Sequence, residues 1–457
     1  MINNTRMAAP RQTADSMRRW QWRILLATMA CYLFYYCGRL NLAICMKPIM
    51  DEFGWDKARM GYLVSVLIFT YGVGQFFNGN LTDRFGRVLM PLGAIISCAA
   101  NWAFSYAPEI GRGLFSLTGL AGSSSMVFGA MAAAWGINGY FQAMGMAPGG
   151  RLISNWWGHG ERGLAMGLYT FSAAMANVTV FLLASAAASA WGWRAAFRYP
   201  VLLMAAVAVV FYFVTKDRPE DVGLTTPHKK TTGGQPQESA LNRYRCAFRN
   251  KDFMMASLSI ALHHVARWGL LTFIPIYFME SYGWKIKGAG FTAAALPLGM
   301  ALGAVSGGFL SDRLFKGKRS TVIAFSLVLC AVCILVLPSI ERIAGITGGL
   351  AKGISSGAML QTIAAVMLVV SGYMLYLGIG PYFALPADLL GTDSAGTGIG
   401  LMNACAYAGA GIGTSVGGLL IKNLGYASGF SFMAACALAG ALLIKLIREP
   451  AFASAKQ

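Results

Sequence analysis

Gly79-Asn-Leu-Thr-Asp83-Arg84-Phe-Gly86-Arg87 ends one apolar stretch of the chain, and Gly308-Phe-Leu-Ser-Asp312-Arg313-Leu-Phe-Lys316 ends another. The two share Gly-x-x-x-Asp-Arg and lie 229 residues apart. Gly54-Trp55 recurs as Gly283-Trp284 at the same offset. A Gly-Trp or Asp-Arg pair is common alone, but three features at one spacing describe an internal repeat, and parallel repeats of this length are a membrane-bundle architecture. In the motif Gly lets two helices approach closely, Asp can cap a helix start, and the Arg residues place charge beside a membrane surface. The competing reading is a tight basic turn with no gating role.

Outward from the motif, composition sets the solvent. Of 457 residues, 56% are hydrophobic and 12% charged, with mean hydropathy +0.55; soluble domains carry about 25% charge. The chain therefore reads as an all-α polytopic membrane protein, with no room for a large soluble domain. Apolar runs of spanning length predict twelve transmembrane helices near 24–46, 60–80, 88–107, 124–152, 164–187, 198–215, 253–279, 289–310, 321–339, 359–382, 397–420 and 428–447. The expected organisation is an N-terminal tail 1–23, a six-helix bundle 24–215, a polar linker 216–252, a second six-helix bundle 253–447 and a tail 448–457. With both termini cytoplasmic, 24 of the 37 Lys and Arg fall in cytoplasmic segments and 11 outside. The net charge of +19 is then the positive-inside bias, and nucleic acid is not expected as a partner. The N-terminus is polar and basic and runs into a full-length span, so no cleaved signal peptide is expected. Nine cysteines, an odd number mostly in apolar runs, read as small buried hydrophobes with no disulfide framework or metal spacing.

Two basic residues remain inside spans, Arg39 and Arg267, at near-equivalent depths 228 residues apart. An Arg at the bilayer centre costs at least about 2.5–3.5 kcal/mol and needs a partner or a task. No Asp or Glu falls mid-span in the helix map; Glu280 and Asp388 sit at span ends. The pair thus points to a mobile anion, phosphate or carboxylate, bound by the planar guanidinium fork. The alternative is a structural Arg satisfied by carbonyls and water. Tyr32, Tyr35 and Tyr36 share the helical face of Arg39, either as hydroxyl donors or as a packing stripe. Asn138 and Gln142, an i,i+4 amide pair in an apolar span, read as cavity lining or interhelical bonding. His263 and His264, one turn before Arg267, are the neutral-range titratable groups within a span, and at most one of them faces the site. His159 and His228 fall in loops. No Walker loop, metal cluster or Ser/His/Asp arrangement is present, so no enzyme and no cofactor is expected, and energy must come from a solute gradient.

The repeated G-x-x-x-D-R-x-G-R loop resembles the major facilitator superfamily of secondary transporters, and the resemblance covers the whole chain. Tyr35-Tyr36-x-x-Arg39-x-Asn41, the segment Tyr140-Phe141-Gln142-Ala-Met-Gly145-Met-Ala-Pro148 through Arg151 to Trp156-Trp157, then Glu161-Arg162-Gly163, and Asp217-Arg-Pro-Glu-Asp-Val-Gly223-Leu are similar to the organophosphate:phosphate antiporters. That family implies a phosphate clamp from Arg39 and Arg267, cavity positions at Tyr32, Tyr36, Tyr71, Gln142, Tyr376 and Tyr407, and a gating motif of Gly79, Asp83, Arg84, Arg87, Asp312 and Arg313. Three positions depart from the glycerol-phosphate members: Gln75 replaces a Lys, Ala173 a His and His264 a Tyr. The resemblance implies the superfamily fold, two parallel repeats of six helices. It implies alternating-access exchange of a small organophosphate or phosphonate for phosphate, by a monomer in a bacterial inner membrane. The alternatives are a proton- or sodium-coupled carboxylate symporter and a sugar-phosphate-binding membrane sensor.

Overall fold

A computed structural model describes residues 8–118, 123–225, 240–313, 318–340, 356–391 and 395–448. Each of the twelve apolar runs lies on helix, and no strand occurs among the described residues. Eight helical stretches among those residues are long and apolar enough to cross a membrane. In hydrocarbon every backbone N–H and C=O must find its partner within the protein, which a helix does by itself.

Four of the expected helices, the first, fourth, eighth and tenth, are interrupted. The first is α1 (Ala8–Tyr35), a 3-10 turn at Tyr36–Gly38, and α2 (Asn41–Phe53). The second is α3 (Lys57–Phe85), continuous; it is followed by α4 (Leu89–Thr118), and then the fourth run divides into α5 (Ser123–Gln142) and α6 (Met146–Trp156). After α7 (His159–Trp191), α8 (Trp193–Val214), α9 (Ala240–Arg249) and α10 (Lys251–Ser281), the eighth run divides into α11 (Ile286–Ala293) and α12 (Ala295–Arg313). After α13 (Arg319–Val336), the tenth run divides at Gly378 into α14 (Ser356–Leu377) and α15 (Ile379–Leu390), and α16 (Ala395–Leu424) and α17 (Tyr426–Lys445) complete the chain. The sequence repeat is also a backbone repeat. Gly54, just past α2, and Gly283, just past α10, both take φ +65°, the left-handed stop that Gly adopts without steric cost.

Two compact units form. The first comprises residues up to Arg39, Val73–Val180 and Phe197–Gln235. Within it α4 and α5 approach closely enough that a Cβ on Gly111 would lie 2.6 Å from Val127 Cα. Arg87 fastens the turn after α3 to the end of α8: its backbone N–H donates to Asp217 Oδ1 at 2.8 Å, and its guanidinium donates to the Thr215 and Tyr212 carbonyls.

The second unit comprises Leu40–Gly72, Phe181–Ala196 and everything from Pro236 onward. It therefore gathers parts of the 24–215 half with the 253–447 half. Its helices meet on bare backbone: Gly299, Gly303 and Gly307 of α12 face the Val369, Tyr373 and Leu377 carbonyls of α14, where a Cβ would come within 2.0, 2.3 and 2.1 Å. Gly61 of α3 and Gly418 of α16 meet in the same way, and beside them Ser65 Oγ donates to the Gly411 carbonyl at 2.7 Å. Lys422–Asp56 at 2.9 Å ties the edge of the same contact, and Lys57–Glu280 at 2.9 Å holds the start of α3 to the end of α10.

Candidate functional site

Arg39 is buried at the break between α1 and α2. Interrupting a helix frees backbone groups that a membrane interior will not solvate. The freed Gly38 carbonyl accepts from Asn138 Nδ2 at 2.6 Å and from Asn101 Nδ2 at 3.3 Å. The Arg39 guanidinium donates from Nε and Nη2 to Gln142 Oε1, each at 3.3 Å, and from Nη2 to the Gln142 carbonyl at 3.3 Å. Its remaining face covers the Tyr36 ring at 4.5 Å. Behind Gln142, Nε2 donates to Ser97 Oγ at 2.7 Å, and Ser97 in turn donates to Asn138 Oδ1.

Arg267 sits in the unbroken α10. Its Nη1 lies 3.3 Å from His264 Nε2, and its guanidinium carbon 5.2 Å from the Tyr376 ring centre and 5.5 Å from that of Trp268. An Arg always donates, so His264 Nε2 accepts and the ring carries its proton on Nδ1. That Nδ1–H points at the Ile260 carbonyl at 3.0 Å and at His263 Nδ1 at 3.2 Å. His263 then donates from Nε2 to the Leu375 carbonyl at 2.8 Å. Two neutral imidazoles with fixed, opposite tautomers satisfy the whole chain.

The other anticipated residues divide by compact unit. In the first, the Tyr32 ring meets Tyr36 edge-on at 5.6 Å and Tyr169 at a tilt at 5.0 Å, while the Tyr35 hydroxyl donates to the Met90 carbonyl of α4 at 3.0 Å, turned to a structural partner. Asn138 and Gln142 are fully buried in the amide chain, so interhelical bonding occupies them. Gln75 is half-buried on α3. In the second unit Tyr71 packs on Tyr407 at 4.8 Å, and Tyr407 stands 6.1 Å from His264. His264 reaches Arg267, whereas His263 reaches it only through His264. Of the loop motif, Gly79 lies on α3, Arg84 is exposed and Arg87 binds Asp217; the side chains of Asp83, Asp312 and Arg313 lie outside the described residues.

Several neighbours were not anticipated. Ser97 and Asn101 form an i,i+4 polar pair in an apolar span, the same signal that marked Asn138 and Gln142. Gly38 is the residue against which the amides close. Tyr382 lies 5.8 Å from His263 and bonds Ser259 at 2.6 Å; nothing in its apolar surroundings marks it in advance.

The described residues thus combine a helical chain, an internal sequence repeat and two buried arginines at near-equivalent places in that repeat, Arg39 and Arg267. Residues 28–414 match the family model of the Major Facilitator Superfamily, and the chain belongs to that superfamily; it is an integral membrane protein. It is similar to the probable hexose phosphate transport protein of Chlamydia trachomatis, at 25% identity over 95% of this chain and 92% of the relative. It is also similar to the membrane sensor protein UhpC of Salmonella typhimurium, at 26% identity over 66% of each. In fold it resembles the crystal structure of a bacterial homologue of the human lysosomal transporter Spinster, in an inward-facing and unoccupied conformation. That match has a TM-score of 0.67 at 16% identity, covering 94% of this chain and 95% of that one.

Proposed function

We propose that the chain is a secondary transporter that exchanges a small organophosphate or phosphonate for inorganic phosphate by alternating access. In this reading the bundles 24–215 and 253–447 act as two bodies, joined by the linker 216–252, in a monomer of the bacterial inner membrane with both termini cytoplasmic. The observation that carries it is the pair of buried arginines at near-equivalent places in the repeat, Arg39 bonded to Gln142 and Arg267 facing His264. Arg39 and Arg267 supply the bidentate forks that suit a phosphoryl group. Tyr32, Tyr36 and Gln75 in the first unit, and Tyr71, Tyr376 and Tyr407 in the second, are the further substrate-contacting residues of this reading. The likeness to a hexose phosphate transport protein supports a phosphorylated substrate.

Exchange is favoured over proton symport because the helix map holds no mid-span carboxylate to carry a coupling proton. Radiolabelled phosphate taken up by proteoliposomes tests this. Uptake into phosphate-loaded vesicles is expected to exceed uptake into empty ones severalfold. Equal uptake that collapses with the pH gradient would replace the exchanger with a symporter. The likeness to a membrane sensor favours one second reading, a receptor that binds a sugar phosphate without moving it; saturable binding with no uptake in either vesicle would establish that instead.

A further inference from the structure

The contacts around Arg39 form a closed, directional ring. Arg39 donates to Gln142 Oε1, Gln142 Nε2 donates to Ser97 Oγ, Ser97 donates to Asn138 Oδ1, and Asn138 Nδ2 donates to the carbonyl of Gly38, the residue before Arg39. Every donor is followed by an acceptor, so each amide has one orientation that closes the ring. Asn101 braces it from inside: its Nδ2 lies 3.1 Å from Asn138 Oδ1, 3.3 Å from the Gly38 carbonyl and 2.9 Å from the Ser97 carbonyl. All four side chains are fully buried, on α4 and α5.

Gly38 supplies an independent observation. A Cβ there would lie 2.7 Å from Gln142 Nε2 and 3.0 Å from both Asn101 Nδ2 and Ser97 Oγ. The ring closes only against bare backbone. The helix break that frees the Gly38 carbonyl and the amides that capture it are therefore one device, and the side chain it delivers is Arg39.

We propose that Ser97, Asn101 and Asn138 are positioning residues for Arg39, fixing the backbone turn beneath it and, through Gln142, the plane of its guanidinium. This assigns the buried amides to ligand orientation rather than to contact with substrate, and it rests on Arg39 being an anion ligand. The fork matters because bidentate recognition tolerates little misalignment, and partly satisfied buried networks lose their cooperativity.

The test uses the purified full-length protein and inorganic phosphate. Arg39 and Arg267 are modified with phenylglyoxal and quantified by peptide mass spectrometry, with Arg267 as the internal reference. In Asn138→Ala and Asn101→Ala, modification of Arg39 relative to Arg267 is expected to rise at least about threefold as its local restraint opens. Ser97→Ala should raise it too, and Ser97→Thr, which keeps the hydroxyl, should restore the wild-type ratio. In phosphate-exchanging proteoliposomes the KM for phosphate is expected to rise about tenfold in Asn138→Ala with kcat little changed, the size of one lost buried bond to a charged assembly. An Arg39-to-Arg267 ratio that stays at the wild-type value in all three Ala variants overturns the proposal, as does an equal rise at both arginines, which is general loosening. If Asn138→Ala does not accumulate, Asn101→Ala decides, since it leaves the shorter Asn138 bond in place. If the wild type exchanges no phosphate, the transport reading fails on its own and the modification ratio still settles the positioning role.

Discussion

The two arginines occupy matching places in a repeated chain, yet they are supported in opposite ways. Arg39 stands on a helix that breaks beneath it, and amides from α4 and α5 hold both the break and the guanidinium. Arg267 stands on a helix that runs unbroken from Lys251 to Ser281, steered by a histidine one turn away and by two aromatic faces. The charge is the same and the mechanics differ. A broken helix held by side-chain hydrogen bonds can be tuned or disarranged from a distance. A continuous helix fixes its Cα by the backbone ladder and leaves only the side-chain torsions to be set. The repeat has kept the chemical group and changed its mounting.

The largest effect expected tests what the two share. Arg39→Lys and Arg267→Lys should each lower phosphate exchange about 100-fold in vesicles containing normal amounts of protein, because an ammonium lacks the fork. Near-normal uptake in either would remove that residue from the clamp. Next comes the mounting. Gly38→Ala should raise the KM for phosphate about tenfold, since overpacking a tight site costs about 1–3 kcal/mol. At the corresponding place before Arg267, Ala266→Gly adds no atom and costs about 1 kcal/mol of helix propensity, so thermal stability should fall slightly with KM unchanged. Equal KM effects at both sites would erase the distinction.

A smaller change is expected at His264. His264→Phe keeps a ring but removes the acceptor facing Arg267, and about a fivefold rise in KM should follow, consistent with one modest hydrogen bond. Because Arg39 has no histidine partner in its ring, the loss should be independent of Asn101→Ala, with the two effects multiplying in the double variant. The smallest expected effect concerns Gln75. Gln75→Lys adds a cation to the first unit and should shift preference about threefold toward dianionic phosphate esters over inorganic phosphate, the scale of a partly screened charge. An unchanged substrate profile would place Gln75 outside the site.

The repeat, the helical runs and both arginines were legible because each is a local signal: an offset, a stretch of apolar residues, a charge where none is cheap. The break at Tyr36–Gly38 was not. Cys37-Gly38 is no stronger a helix stop than many glycines in this chain, and the interruption is held by Asn101 and Asn138, dozens of residues distant. Tertiary hydrogen bonds override local propensity there. The interruption at Ala143–Gly145 has the same origin, with the Tyr169 hydroxyl donating to the Gly145 carbonyl at 3.1 Å. Asn138 and Gln142 were recognised as a pair, and only the position of Gly38 shows why two amides are needed.

The meeting of Gly61 and Gly418 has a consequence of another kind. A Cβ on either would lie 2.7 Å from a carbonyl of the facing helix, so at these two positions no side chain fits between the helices. Glycine has no rotamers to surrender when surfaces meet. At those two positions, joining or parting the helices carries no side-chain entropy term. Such a seam resembles a latch more than a weld: its strength is set by Ser65 and by the Lys422–Asp56 bridge at its edge.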